Sequence, residues 1–117
     1  MNILLENILA ALEIAEPATT GNNRATIEKI IAADLMSDIL ASDGSRQLIL
    51  TSLASDQSIR TAHAIGAVAV LFVNGKKPPP SAIALAHECS LGLFTTSFSM
   101  FDACAKLAAL VDTSSAQ

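Results

Sequence analysis

Residues 48–75 contain the clearest pattern of hydrophobic and polar positions in this chain. Two apolar runs, 48–51 and 67–73, flank a segment with helical periodicity that Ser55 or Asp56 can cap and Gly66 can end. Two buried strands joined by a helix form a βαβ unit, in which the strands lie parallel in one sheet. Asn74-Gly75 then predicts a sharp turn with positive φ.

The N-terminal segments predict a helix followed by strands. Residues 3–12 place a wide apolar stripe on one helical face, and residues 13–15 are compatible with a short edge strand. Residues 25–32 begin with alternation and end in an apolar run, which favours a strand, although a helix also fits. The N-terminal part therefore predicts one helix and the entry into the sheet.

Residues 33–40 predict a short helix that Asp34 or Ser37 can cap. Its buried face is expected to consist of Met36, Ile39 and Leu40. Asp43 and Gly44 then predict a turn that leads into the first strand of the βαβ unit.

After the βαβ unit, the pattern predicts two further helices and a third parallel strand. A proline-rich connection at 76–80 leads into a helix with proline in its first turn. Residues 93–96 form the strand, and Ser99 caps the last helix. The expected buried positions on the two helices are Ile83, Leu85, Ala86, Cys89, Met100, Phe101, Cys104, Leu107, Ala108 and Val111.

Strands that alternate with helices predict an α/β fold: a three-layer α/β/α domain with a small, mainly parallel sheet. We expect one domain over residues 1–111 and a flexible C-terminal tail over residues 112–117.

Composition narrows the class of partner. The net charge is −4, and only 3% of the 117 residues are aromatic, so neither a phosphate backbone nor stacked bases would be attracted, and no nucleic-acid partner is expected. Only 15% of residues are charged, which leaves apolar surface to bury against another copy or another protein. We expect a homodimer, with a protein partner as the alternative.

The sequence predicts a cytoplasmic protein without a membrane span. The apolar N-terminus is interrupted by Glu6 and Glu13 and is too short to cross a bilayer. Cys89 and Cys104 have neither CxxC spacing nor a disulfide framework, so both are expected to pack as small hydrophobes in a reducing compartment.

Ligands of open α/β sheets bind beyond the carboxyl ends of the strands. In this chain that edge is expected to bring together hydroxyls, an amide, a lysine and two helix N-termini. Such a combination of groups is suited to binding a phosphate or a carboxylate. The same residues also serve as ordinary caps and turns, and no dinucleotide or P-loop motif is present. The candidate ligand-binding residues are Thr51, Ser52, Asn74, Gly75, Lys76, Thr95, Thr96, Ser97, Phe98 and Ser99.

Other chemically active side chains favour structural roles. Asp34 and Asp38 lie four residues apart and would share a helix face, as a further candidate site, but a third carboxylate is missing. His63 and His87 fall on different helices, where partly buried structural histidines are expected. We therefore predict no catalytic residues, no metal and no cofactor.

Four segments give the chain a resemblance to the DRTGG domain family: residues 31–40, 48–52, 69–75 and 95–104. The name-giving letters differ, because Ser52-Leu53-Ala54 stands where Asp-Arg would follow the first central strand. Val73-Asn74-Gly75 stands where Thr-Gly-Gly would follow the second, so only the glycine matches.

The resemblance implies an α/β fold similar to the N-terminal domain of HPr kinase/phosphorylase. It also implies a non-catalytic regulatory or assembly module, commonly at a dimer interface. Some stand-alone members are encoded near iron hydrogenase or histidine-kinase-like genes, which makes such proteins possible partners.

Three functional hypotheses follow. The first is a regulatory module, homodimeric, that binds a small anionic metabolite such as a nucleotide, or a partner protein. The second is an accessory protein of hydrogenase or redox signalling systems. The third is a small enzyme of phosphoryl or acyl transfer that uses Asp34, Asp38 and Lys76 with the hydroxyls.

Overall fold

The computed structural model describes residues 2–14, 25–42 and 46–115. Within them the chain forms, in order, β1 (Ile3–Leu4), α1 (Leu5–Ala11), β2 (Thr26–Ile27), β3 (Lys29–Ala32), α2 (Met36–Leu40), β4 (Gln47–Thr51), α3 (Asp56–Ala64), β5 (Ala69–Phe72), α4 (Pro80–Glu88), β6 (Gly92–Thr95) and α5 (Met100–Ser115).

Strands β3, β4, β5 and β6 form a parallel sheet in that order. Because each strand lies beside the preceding one and crossovers are right-handed, α2, α3 and α4 lie on the same face. Their core residues Ile39, Ile59 and Ala86 share one cluster with Ile49 and Phe72 of the sheet.

The opposite face carries α1, α5 and the antiparallel pair β1–β2. Leu48 and Leu50 point to this side and Ile49 to the other, because successive side chains of a strand alternate. Side chains of α1 and α5, including Ile8 and Leu107, complete this second core. The prediction of a three-layer α/β/α fold around a small parallel sheet is confirmed.

The predicted signals at the ends of three helices are confirmed. Ser55 caps α3 by accepting a hydrogen bond from the Ser58 N–H, and Gly66 follows that helix with φ +71°. Proline occupies the first turn of α4. The Ser99 hydroxyl accepts a hydrogen bond from the Asp102 N–H at the start of α5. These signals are local, so they need no tertiary information.

The prediction of an edge strand at residues 13–15 is wrong for its described part. Glu13 adopts a positive φ of 58°, and the Ile14 N–H donates to the carbonyl of Leu9. This arrangement closes α1 in the manner of a Schellman turn. Ala15 lies outside the described residues, and the N-terminal strand is β1, at the start of the region predicted to be entirely helical.

The predicted strand at residues 25–32 divides into two. Thr26–Ile27 pairs with β1, whereas Lys29–Ala32 pairs with β4 in the larger sheet. Glu28 separates them, and its N–H donates to the carbonyl of Arg46. One stretch of sequence therefore serves two sheets.

Neither predicted cap is used at α2. The helix begins at Met36, with Leu35 as its N-cap and no side-chain capping bond, while Asp34 bonds to Thr51 and Ser52 instead. Ile39 is buried and Met36 half-buried, but Leu40 is 53% exposed. Because α2 is short, only Ile39 fully reaches the core. The turn predicted at 43–44 lies outside the described residues.

The predicted stripes of the last two helices largely face the core: Ala86 and Leu107 are buried, and Met100, Cys104 and Val111 of α5 pack against the core cluster. Ala82 and Ala86 are the buried residues of α4, with Ile83, Leu85 and Cys89 packed partly against the core. On α5, Ala103 and Leu107 face the core, whereas Phe101 is 80% exposed and Ala108 is also exposed. The helix continues to Ser115, so the backbone of residues 112–115, predicted as tail, is helical.

Within residues 2–14, 25–42 and 46–115, no helix combines the length and the hydropathy that a bilayer crossing needs.

Candidate functional site

The carboxyl ends of the four parallel strands lie along one edge of the sheet, which we call the rim. The rim comprises Asp34 after β3 and residues 51–53, 74–76 and 95–99. Because the strands lie side by side in the order β3-β4-β5-β6, the β3–β4 half of the rim and the β5–β6 half lie at opposite ends of this edge.

Asp34 organises the β3–β4 half of the rim. Its carboxylate accepts hydrogen bonds from the Thr51 hydroxyl at 3.0 Å, the Ser52 N–H at 2.7 Å and the Ser52 hydroxyl at 2.6 Å. The Thr51 oxygen also accepts from the Leu53 N–H. The candidate donors of this half are therefore already directed at a carboxylate of the chain itself.

This network determines the charge of Asp34. Donation from the Ser52 side chain and backbone, helped by a smaller contribution from Thr51, holds the pKa of the carboxyl below its ordinary value, although partial burial opposes the shift. A permanent negative charge repels a second anion, and a carboxylate with three donors is a weak base. The β3–β4 half is thus a poor site for a phosphate and for general-base catalysis.

Asp38 does not join Asp34. Asp38 lies exposed in the first turn of α2, whereas Asp34 precedes that helix, so the expected shared helix face does not exist. No three metal-binding side chains come together in residues 2–14, 25–42 and 46–115.

Asn74 and Gly75 form the predicted turn after β5, with φ values of +62° and +66°. Their N–H groups donate to the carbonyls of Phe98 (2.8 Å) and Thr96 (2.9 Å). These backbone donors tie the β5–α4 loop to the β6–α5 loop, so they do not face a ligand.

Thr96 and Phe98 also form hydrogen bonds within the protein. The Thr96 side chain is buried, and its hydroxyl lies 3.5 Å from the carbonyl of Leu12 while accepting from the Phe98 N–H at 3.3 Å. Ser99 serves as the cap of α5. Thr95 is half-buried, beside Phe72 in the sheet register.

Besides Asn74 and Gly75, two further candidate residues of the β5–β6 half are exposed. Lys76 and Ser97 are both exposed, on the two loops that the Asn74 and Gly75 hydrogen bonds join. Phe98, the neighbour of Ser97 on the β6–α5 loop, is half-buried. This half presents a cation, a hydroxyl and an aromatic ring at the corner where the two loops meet.

The sequence reasoning missed Lys106. Its Nζ lies 5.0 Å from the centre of the Phe98 ring, which places a second cation at the same corner. Lys106 lies about two helical turns after the Ser99 cap, which places it on the same side of α5 as the start of the helix. The Phe98 ring that Lys106 covers lies before the helix, so helical periodicity alone does not predict this contact.

The histidines and cysteines lie away from this corner. His63 and His87 are both exposed, in the last turns of α3 and α4, so the expectation of partial burial is wrong. Cys89 and Cys104 are half-buried free thiols, and burial raises the pKa of Cys104. A protonated thiol is a poor nucleophile.

Neither the models of known protein families nor the curated proteins include a match to this chain. A solved structure does match: the CBS and DRTGG domains of the regulatory region of a Clostridium perfringens pyrophosphatase, complexed with its activator, diadenosine tetraphosphate. The TM-score is 0.65 at 20% identity, over 86% of this chain. The chain spans 44% of the length of that structure's chain, and it has a DRTGG-like fold.

Proposed function

We propose that this DRTGG-like domain is a non-catalytic regulatory module, homodimeric and cytoplasmic, that binds a small phosphorylated metabolite at the β5–β6 half of the rim. The observation that carries the proposal is the corner formed by exposed Lys76 and Ser97 with Lys106 over the Phe98 ring. Two cations suit phosphate groups, and an aromatic ring suits a base.

The division of the rim supports this choice of ligand and place. Asp34 occupies the hydroxyls and the N–H of the β3–β4 half and repels an anion there, which supports the β5–β6 half as the proposed place. The matched pyrophosphatase region is regulatory and was solved with a nucleotide activator, which supports a regulatory role for this fold.

Isothermal titration with ATP, diadenosine tetraphosphate and inorganic tripolyphosphate tests the proposal. We expect binding that Lys76→Met and Lys106→Met each weaken about tenfold. Arg60→Met is the matched control, because Arg60 is an exposed cation on α3, which packs on the other face of the sheet. Tripolyphosphate binding without nucleotide preference would remove Phe98 from the site.

A thermal-shift measurement supplies a second readout. A ligand at one hundred times its dissociation constant adds about 2.7 kcal/mol of stability, which is readily measured in a domain of this size. If none of the three compounds binds, or if Arg60→Met weakens binding as much as Lys76→Met, the proposed anion site is wrong.

A partner protein is the second candidate, favoured by the exposed apolar side chains at the same edge. Phe101 is 80% exposed, Leu35 61% and Leu53 42%. A hydrogenase or kinase-like protein is the partner that the family resemblance implies. Loss of a measured complex in Phe101→Ser, with ligand binding unchanged, would separate this role from metabolite sensing.

Catalysis is the least supported alternative. Asp34 and Asp38 lie apart, Asp34 serves Thr51 and Ser52, and the matched solved structure is a regulatory region. A turnover that Asp34→Asn abolishes without unfolding the protein would overturn the non-catalytic proposal.

A further inference from the structure

The two edge strands of the parallel sheet are covered very differently. At β6, Gly92, Leu93 and Phe94 are buried, whereas no residue of β3 is: three are half-buried and Ala32 is exposed. An edge strand that remains apolar and open is a template for pairing with another strand. The β3 edge is therefore the place to look for a partner.

The backbone of β3 can accept another strand. The N–H groups of Lys29 and Ala33 donate toward β4, to the carbonyls of Arg46 and Leu50. Because the direction alternates along a strand, Ile30 and Ala32 present their N–H and C=O groups to the other side. Within the described residues, β3 has β4 as its one neighbour in the sheet.

Apolar surface continues on both faces beside this edge. On one face a groove of about 290 Å³ runs between β3 and α5, lined by Ile30, Ala32, Cys104, Leu107, Ala108 and Val111, with Asp112 as its charged residue. On the other face α2, the outermost helix of its layer, carries Leu40, which is 53% exposed.

The charges at the two ends of β3 indicate which partner fits. Lys29 and Arg46 accompany Glu28 at its amino end, whereas residues 33–42 at its carboxyl end contain Asp34 and Asp38 and no basic residue. A second copy placed antiparallel by a two-fold axis brings the basic end of each strand to the acidic end of the other. A parallel arrangement would oppose like charges.

We propose that a second copy of this chain pairs antiparallel through β3, so that two four-stranded sheets become one continuous sheet across a two-fold axis. In this arrangement the partner's α5 layer covers the groove, and the partner's α2 layer covers Leu40. The contact therefore extends beyond the four residues of each β3 strand. It rests on the homodimeric part of the proposed function and names the surface.

Sedimentation of the full chain over a concentration series tests the surface. We expect a dimer whose dissociation constant rises at least tenfold in Ala32→Lys, because a lysine at the open edge opposes strand pairing. Ala84→Lys is the matched control: Ala84 is exposed on α4, which packs on β6 at the far edge.

Thiol labelling of the unmodified chain gives a test that needs no variant. We expect Cys104 in the groove to react several-fold more slowly above the dissociation constant than below it, while Cys89, at the end of α4, reacts at one rate throughout. Mass spectrometry distinguishes the two cysteines.

The outcomes separate this surface from the proposed function. A monomer at every concentration overturns both the homodimer and the β3 surface. A dimer that Ala32→Lys leaves intact, or one in which Cys104 stays reactive, overturns the surface alone. Nucleotide titration of Ala32→Lys reports on the rim site independently of either result.

Discussion

Single residues in this domain act through the partners that the fold brings to them. Asp34, which its sequence position suggests as a helix cap, instead accepts hydrogen bonds from Thr51 and Ser52, up to 18 positions away. These hydrogen bonds give the two hydroxyls and the Ser52 N–H an acceptor, and they join the carboxyl ends of the neighbouring strands β3 and β4. A residue without a capping role thus becomes the central acceptor of the β3–β4 half of the rim.

We expect Asp34→Asn to lower the free energy of unfolding by about 1 kcal/mol. The substitution replaces charge-assisted hydrogen bonds with neutral ones, and it places an NH₂ group, itself a donor, among the donors of Thr51 and Ser52. The site is largely exposed, which keeps the effect at the lower end of its range. Urea unfolding measures it, with Asp38→Asn on the exposed side of α2 as the control. Equal losses in the two variants would contradict the role of the network.

The same carboxylate predicts a pH dependence. Its pKa is lower in the folded than in the unfolded state, so its contribution is complete above the ordinary aspartate pKa of about 3.9. The contribution disappears as the pH falls through the lowered folded-state pKa. The stability difference between the unmodified protein and Asp34→Asn should therefore be constant near neutral pH and vanish in acid, as thermal unfolding at several pH values would show.

Two glycines are required for different reasons. Gly75 has φ +66° with open space where a Cβ would lie, whereas a Cβ on Gly92 would lie 3.0 Å from Phe94 Cε2 and 3.3 Å from the Ala69 Cβ. We expect Gly75→Ala to cost about 1 kcal/mol through backbone strain. Gly92→Ala should cost about 1–3 kcal/mol through overpacking.

A second substitution distinguishes the two mechanisms. Phe94→Leu should cost less stability in the Gly92→Ala background than in the unmodified protein, because it removes the ring that crowds the new methyl group. In the Gly75→Ala background we expect Phe94→Leu to cost as much as it does in the unmodified protein. An equal cost of Phe94→Leu in all three backgrounds, measured by chemical unfolding, would argue against overpacking at Gly92.

At the scale of elements, short-range signals decide where the helices begin and end. α3, α4 and α5 start at Ser55, at a proline and at Ser99, each a residue type suited to that position. α2 has no side-chain cap and is only 5 residues long, so its position depends on packing of Ile39. Elements with their own signals are the ones a sequence predicts well.

We expect Ser99→Ala to destabilise the protein by about 1 kcal/mol and to lower its midpoint of thermal unfolding by a few degrees. The reason is the loss of the acceptor for the Asp102 N–H at the start of α5. Ser97→Ala, two residues earlier at an exposed position, should change the midpoint little. A midpoint shifted equally by both would show that the cap contributes nothing.

For the whole molecule, one sheet separates two cores. Ile8 of α1 is buried on the face that carries α5, and Ile49 of β4 on the face that carries α2, α3 and α4. The sheet shields each cluster from the other. A residue substituted in one core therefore shares few neighbouring residues with a residue substituted in the other.

Ile8→Val and Ile49→Val should each cost about 0.5–1.5 kcal/mol. We expect the double variant to lose the sum of the two within about 0.5 kcal/mol, since the sites share no cluster. Denaturant unfolding of the four proteins in the cycle measures the coupling. A coupling well above that limit would mean that the sheet transmits packing strain between the cores.

The sequence alone determined the parallel sheet through β4, β5 and β6, the caps at Ser55 and Ser99, and the Asn74-Gly75 turn. Apolar runs bounded by glycine, proline and capping residues encode these features locally. The rim as a location followed from them, because carboxyl ends of parallel strands share one edge.

Only the tertiary structure decided which rim groups are free and which surfaces are open. The Thr96 hydroxyl meets the Leu12 carbonyl across 84 positions, and Lys106 covers a ring outside its own helix. Leu40 and Phe101 fit an apolar stripe yet face solvent, because the direction of a helix face depends on what it packs against. Periodicity specifies that a stripe exists, whereas contacts between distant segments determine which of its residues are covered.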